Sequence, residues 1–173
     1  MLSKEIIRIA IPSDLPPIME GINRCKKQLF FHGSGQWQSG EPNNETLQND
    51  IKNRQYVVLE RDGFVLGGMA LLMHEPSYDQ LLEGAWLNED PYGVLHRFYI
   101  HPDYQQQGKA QQLFAWAIEN LSQQGILNIR IDTHEKNVPM RKSLTKFGFF
   151  HVGKAYLPGA GERWVYHKVY EKK

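Results

Sequence analysis

Cysteine is nearly absent from this chain: Cys25 is the only one among 173 residues. A single thiol excludes an internal disulfide and a thiolate metal cluster, and makes an intracellular, cytoplasmic enzyme or binding protein the expectation. The sequon Asn44-Glu45-Thr46 is then a chance match. Charge of one sign is lacking as well. Lys and Arg number 20 against 19 Asp and Glu, a net charge of +1. No basic excess exists to neutralise many phosphates, so no nucleic-acid partner is expected. Long apolar runs are missing: the longest, Val65 to Met73, has nine residues with two glycines, against roughly 20 for a membrane-spanning helix. The apolar stretch near the N-terminus is broken by Glu5 and Arg8 and has no small-residue cleavage site, so it reads as a strand and not as a signal peptide. No membrane partner is expected. Repeats, low-complexity tracts and linkers are also lacking.

What is present suits one domain over residues 1–173, within the roughly 100–200 residues usual for a domain. Four Trp, eight Tyr and eight Phe supply ample core material. Residues 5–11 alternate weakly and end at Pro12, as a first strand would. Ser13 or Asp14 can cap a helix with Pro16 and Pro17 in its first turn, where a missing N–H does no harm. Leu15, Ile18, Met19, Ile22, Cys25 and Leu29 then recur at helical spacing. His32 to Pro42 reads as a loop, and Asn43 or Asn44 opens a more polar helix. The runs Tyr56–Glu60 and Phe64–His74 flank Arg61-Asp62-Gly63, a strong hairpin signal because both turn residues must take positive φ. Glu75 to Tyr92 is a connection long enough to be functional or to hide an element.

Val94–His101 predicts a strand. A helix opening at Gly108 carries Ala110, Leu113, Phe114, Ala117, Ile118 and Leu121 on one face and stops at Gly125. Leu127–Thr133 alternates as a strand. Asn137 can cap a further helix with Met140, Leu144 and Phe147 inward, and Phe149–Leu157 and Trp164–Tyr170 finish as strands around Pro158-Gly159-Ala160-Gly161. The order β-α-α-β-β-β-α-β-α-β-β predicts an α+β domain.

The segment Gln105-Gln106-Gln107-Gly108-Lys109-Ala110 joins a strand to the first turn of the most strongly amphipathic helix. Helix N-termini carry unpaired N–H groups and about half a positive charge. A polar loop with Gly at the entry lets those groups converge on an anion such as a pyrophosphate. The pattern is neither a P-loop nor a dinucleotide fingerprint.

The run His96-Arg97-Phe98-Tyr99-Ile100-His101-Pro102, followed by Gln105-x-x-Gly108-x-Ala110, resembles motif A of the GNAT N-acetyltransferases. Asn137-x-x-Met140-x-x-x-Leu144-x-x-x-Gly148-Phe149 matches that family's second cofactor motif in spacing. The element order is similar to the family's over nearly the whole chain. The resemblance implies a GNAT-like fold: a mixed, mostly antiparallel sheet of six or seven strands, about four helices, and splayed central strands. It implies acetyl-CoA as co-substrate and an amine on a small molecule or peptide as acceptor. Backbone N–H groups of Gln106, Gln107, Gly108, Lys109 and Ala110 would hold the pyrophosphate beside Gln105. Phe98, Tyr99 and Ile100 would pair with the pantetheine arm, and Asn137 would reach it as well as cap its helix.

In such enzymes an amine attacks the thioester directly. A base must take the proton of an ammonium whose pKa is near ~10, and a fixed N–H stabilises the developing oxyanion. By position in the family's strand, the N–H of Phe98 is the oxyanion donor and His96 the base, with Glu83, Glu89, Asp90 or a water chain as alternatives. The chain departs from the family pattern at Leu144, where many relatives have a Tyr that protonates the leaving thiolate; Tyr99 and Tyr166 are the substitutes considered. Gln36 and Trp37, with Glu83, Trp86 and Tyr92, fall where relatives build the acceptor pocket.

A non-catalytic acyl-CoA-binding module of the same fold is the alternative from another class, and an adaptor domain that binds no coenzyme A is a third. No metal is expected: His74-Glu75 and His134-Glu135 both lack the second His of a His-Glu-x-x-His site. Exposed edges of the last strands would be covered in a homodimer.

Overall fold

The computed structural model describes residues 3–171; the outermost two residues at each end of the expected 1–173 domain lie outside that range. Chain order gives β1 (Glu5–Ile9), α1 (Leu15–Phe31), α2 (Asn44–Lys52), β2 (Tyr56–Arg61), β3 (Phe64–Leu72), β4 (Glu83–Gly84), β5 (Gly93–Ile100), α3 (Lys109–Gln123), β6 (Asn128–Thr133), α4 (Val138–Lys146), β7 (Phe150–Leu157) and β8 (Gly161–Val169). The expected helices and strands are all present. The strand count of six or seven is corrected to eight, because β4 forms inside the 75–92 connection. Two residues carry no periodicity, so this strand had no signature. Glu83 and Gly84 pair with Lys154 and Gly153 of β7, where a Cβ on Gly84 would stand 1.9 Å from the carbonyl oxygen of Val152.

The sheet runs β1-β2-β3-β5-β6-β8-β7-β4. All its pairs are antiparallel except β5 with β6. The β2–β3 turn forms as the Asp-Gly signal requires, with Asp62 and Gly63 at φ 51° and 83°. Period-two alternation then sorts side chains to two covered faces. Val57, Leu59, Leu95, Ile129 and Ile131 pack with Leu113, Phe114, Ala117 and Leu121 of α3 and Leu144 of α4. Tyr56, Val58, Ala70 and Tyr99 pack on the opposite face with Ile18, Ile22 and Cys25 of α1 and Leu47 and Ile51 of α2. Helices on both faces explain why the middle strands read as near-continuous apolar runs.

Two features of this sheet position the site. β5 and β6 pair only at Gly93–Ile129, Val94–Arg130 and Leu95–Ile131; beyond Leu95 the strands part, as the resemblance implied. In the β3–β5 ladder, register passes from Ala70–His96 to Gly68–Tyr99, and Arg97 takes φ 49°. This bulge leaves Arg97 and Phe98 without a partner across the ladder, just where β5 leaves β6.

Candidate active site

Beyond the parting strands lies the turn into α3. Gly108 caps the helix at φ 74°, and Gln106 also takes a left-handed conformation at φ 58°. The first bond into the helix runs from the Gln112 N–H to the Gly108 carbonyl, so the amides ahead of it have no intrahelical partner. A Cβ at Gly108 would find no atom within 4 Å, which leaves the approach to these amides open. Gln105 is held by Gln28 of α1 and by the Ile100 carbonyl, to which its Nε2 donates at 3.0 Å. The ammonium of Lys109 does not face the turn. It reaches back to Glu5 of β1 at 2.6 and 2.8 Å, so only the backbone of Lys109 can serve an anion here. Ala110 packs its methyl group on the α3-side core. This set of free amides, an unobstructed glycine and an open strand seam fits a diphosphate with an extended arm.

His96 lies on β5 two residues before Phe98, with its side chain largely buried. Its Nε2 donates to Glu75 Oε2 at 2.7 Å, and its Nδ1 lies 3.6 Å from Asp132 Oδ2 on β6. Asp132 Oδ2 in turn accepts from the buried Tyr78 hydroxyl at 2.6 Å. The hydrogen bond from His96 holds the Glu75 carboxyl down at about 2, against the opposing effect of burial. Burial, with Asp132 alongside, pushes the Tyr78 hydroxyl well up, so it stays a donor. Phe98 stacks its ring on Phe114 at 4.8 Å, which fixes the backbone that carries its amide.

The bulge itself is clamped from α2. Arg97 forks onto the buried Asp50, with Nε at 2.5 Å and Nη2 at 2.8 Å, and its carbonyl accepts from the Tyr56 hydroxyl at 3.0 Å. Burial pushes the Asp50 carboxyl up and the guanidinium pulls it back.

The expected acceptor segments split into two groups. Gln36 meets the end of β6: its Oε1 accepts from Thr133 Oγ1 at 3.0 Å, the His134 N–H at 3.2 Å and Asn137 Nδ2 at 2.9 Å. Asn137 therefore caps α4 through Oδ1, which accepts from the Met140 N–H, while its amide nitrogen binds Gln36. Trp37, at φ 62°, packs on the α1-side core, and Ser39 donates to the Gly159 carbonyl of the β7–β8 turn. Trp86 and Tyr92 instead anchor their own connection. Both rings cover the Arg130 guanidinium, at 4.2 and 3.9 Å, and the Trp86 indole donates to the Tyr78 carbonyl. Glu83 is exposed on β4 and pairs with Lys154 at 3.1 Å. Glu89 and Asp90 are exposed in the same connection. Of the alternative bases, none is brought beside His96.

Glu75, Tyr78, Asp132 and Asp50 carry no local site signal in the sequence. Glu75 and Tyr78 fall in the aperiodic connection. Asp132 lies on the strand β6 and Asp50 on the polar helix α2, where an acid has no distinguishing local signal. A strand acid facing a strand histidine was the one signal available, and it needs the parallel β5–β6 pairing to be known. Of the tyrosines considered as thiolate donors, Tyr99 lies beneath α1, where its ring would meet a Cβ at Gly21. Tyr166 is buried with Leu144 in the α3-side core. Among the described residues no group of three His, Cys, Asp or Glu could hold a metal ion, and no helix is long and apolar enough to cross a membrane.

Residues 20–149 match the Acetyltransferase (GNAT) family. No curated protein matches the chain. Among solved structures, a GNAT-family acetyltransferase of Streptococcus agalactiae 2603 is 35% identical, with a TM-score of 0.89 over 97% of this chain and 96% of the other. The PaiA N-acetyltransferase of Thermoplasma acidophilum, crystallised with coenzyme A, shares the fold at 19% identity, with a TM-score of 0.75 over 96% and 99%. The N-acetylglutamate synthase of Neisseria gonorrhoeae, complexed with coenzyme A and N-acetyl-glutamate, aligns at 18% identity and a TM-score of 0.69, over 99% of this chain and 36% of that one. The chain belongs to the GNAT acetyltransferase family.

Proposed function

We propose that this protein transfers an acetyl group from acetyl-CoA to a primary amine by direct attack. The observation that carries this reading is the junction of two openings: the unpaired amides before Gln112 and the parting of β5 from β6 beyond Leu95. The amides of residues 106–110 would hold the diphosphate, helped by the positive end of the α3 dipole. The backbone of Phe98, Tyr99 and Ile100 would pair with the extended arm as an added strand does. The thioester would then lie beside Phe98, whose amide would donate to the carbonyl oxygen as charge develops there. Loss of such a donor typically costs about 3–4 kcal/mol of barrier.

His96 is the base in this reading. Because its Nε2 donates to Glu75, its lone pair lies on Nδ1, facing β6. Glu75, accepting from Nε2, orients the ring and stabilises it once Nδ1 has taken the amine's proton, the role of the carboxylate behind a histidine base. Asp132, 3.6 Å from Nδ1, adds a second negative charge beside it. The buried Leu144 cannot protonate the leaving thiolate. A thiol of pKa near ~8.5 is a fair leaving group, however, and solvent can return that proton.

Calorimetry with coenzyme A, followed by thiol release from acetyl-CoA over a panel of amines for wild type and His96→Ala, tests the reading. Binding of coenzyme A with amine-dependent release in the wild type alone is expected. Tight binding with no amine-dependent turnover would instead make the chain an acyl-CoA-binding module.

A further inference from the structure

A pocket of about 330 Å³ lies between the end of β6 and the β7–β8 hairpin, lined by His134, Glu135, Lys154, Glu162, Arg163 and Trp164. Ser39 donates to the Gly159 carbonyl of the same hairpin turn. Arg163 is 6% exposed, an unusual burial for a residue with five N–H donors. Its Nη1 donates to the Glu162 carbonyl at 3.0 Å, and its Nε lies 3.9 Å from Asp132 Oδ1, too far for a hydrogen bond. Asp132 already accepts from Tyr78 through its other oxygen. The remaining donors of Arg163 have no protein partner among the described residues and are reached from the pocket, where a forked oxyanion could engage them. Burial pushes Arg163 down from its usual range, and burial with Arg163 alongside pushes His134 down from the ordinary imidazole value.

We propose that Arg163 anchors a carboxylate of the acceptor, which makes the acceptor a short zwitterionic amine, an amino acid or a near analogue. Shortness follows from Asp132, whose Oδ1 faces Arg163 at 3.9 Å and whose Oδ2 faces His96 Nδ1 at 3.6 Å. One carboxylate separates the anchor from the base, so the amine and the anionic group of the acceptor stand a few bonds apart. The rim selects the net charge. Lys154 is held by Glu83, while Glu135 and Glu162 stand on the pocket wall. A polyamine would set its charges against Arg163, and a dianion such as an aminoalkyl phosphate would meet the two glutamates. The placement of the amine rests on the acetyl-transfer reading; the placement of the carboxylate does not.

The test pairs amino acids and β-alanine with their methyl esters, plain alkylamines and phosphoethanolamine, read in two ways on coenzyme A-loaded protein: thermal shift for binding and thiol release for turnover. Free amino acids are expected to bind and turn over with kcat/KM about 100-fold or more above their esters. Arg163→Gln is expected to erase that ratio through KM while coenzyme A binds as in wild type, and Arg163→Lys to restore part of it. Esters, alkylamines or phosphoethanolamine performing as well as free amino acids would overturn the proposal, as would an unchanged ratio in Arg163→Gln. Carboxylate-dependent binding with no turnover would uphold the anchor and sink the acetyl-transfer reading instead.

Discussion

Glu75 Oε2 stands 2.7 Å from His96 Nε2, on the side of the ring away from β6. The contact selects a tautomer: the proton sits on Nε2, and the nitrogen that faces the strand seam is the one able to accept another. Because the carboxyl is held down at about 2, Glu75 stays an ionised acceptor throughout the neutral and mildly acidic range.

His96→Ala should lower kcat about 10²–10⁴-fold, the usual contribution of a positioned base, while the dissociation constant for coenzyme A stays within about twofold of wild type. Glu75→Gln should give a smaller loss and move the acidic limb of the pH–rate profile. Steady-state kinetics beside calorimetry check both. The stability linked to Glu75 is fully present above its ordinary value of 4.5 and is lost as pH falls toward about 2.

His167 should make the fold sensitive to mild acid. Its Nδ1 accepts from the Leu87 N–H at 3.1 Å and its Nε2 donates to Asn128 Oδ1 at 2.9 Å, an arrangement only the neutral ring can make. Burial, and then Arg130, push it down to about 4. Between about 6.5 and about 4 the unfolded chain binds a proton that the native chain refuses, so stability falls as pH falls through that window. At about 1.4 kcal/mol per unit the loss approaches about 3 kcal/mol. Urea unfolding at about pH 7 and pH 4.5 should show it, and His167→Gln should flatten it.

Gly108→Ala should separate backbone strain from ligand access. A residue with a Cβ pays about 1–2 kcal/mol in this left-handed conformation, and no protein atom stands near enough to add to that. Gly125, at φ 76° with equally open surroundings at the far end of α3, is the matched control. Both variants should lose similar stability by urea titration. Only Gly108→Ala should weaken coenzyme A binding, by about tenfold or more in calorimetry, because its methyl group intrudes where the diphosphate would lie.

Asp50→Ala leaves the part-buried Arg97 guanidinium without its partner, which should cost about 1.5–3 kcal/mol of stability. The clamp also holds the bulge before Phe98, so kcat should fall with little change in coenzyme A affinity. Asp50→Asn, which keeps an acceptor for one arm of the fork, should recover part of both. Chemical denaturation and single-turnover rates distinguish this from a plain loss of folded protein.

The elements with strong periodicity or turn chemistry were legible in the sequence. α3 shows its apolar stripe, the Asp62-Gly63 hairpin its positive-φ pair, and α4 its Asn137 cap. The free amides around Gly108 were legible for the same reason, since they depend on local geometry alone. β4 was not, because two residues exposed at an edge carry no pattern. The partners of His96 were also out of reach. Glu75 is 21 residues away and Asp132 is 36 away on a strand whose parallel pairing no local signal encodes. Trp86 and Tyr92 look like acceptor residues when only their chemistry is considered; the buried Arg130 that they cover explains their place instead.

Lys109 and Glu5 give the anion-binding turn an unexpected dependency. The lysine is sequestered by a strand at the opposite end of the chain's order, and Gln112 joins it on the same carboxylate. A diphosphate held at this turn would be met by main-chain amides rather than by Lys109, whose ammonium works as a guy rope that fixes the α3 entrance to the sheet's outer edge. Trimming the first strand would consequently slacken a ligand cradle more than a hundred residues downstream without removing a single ligand-facing group.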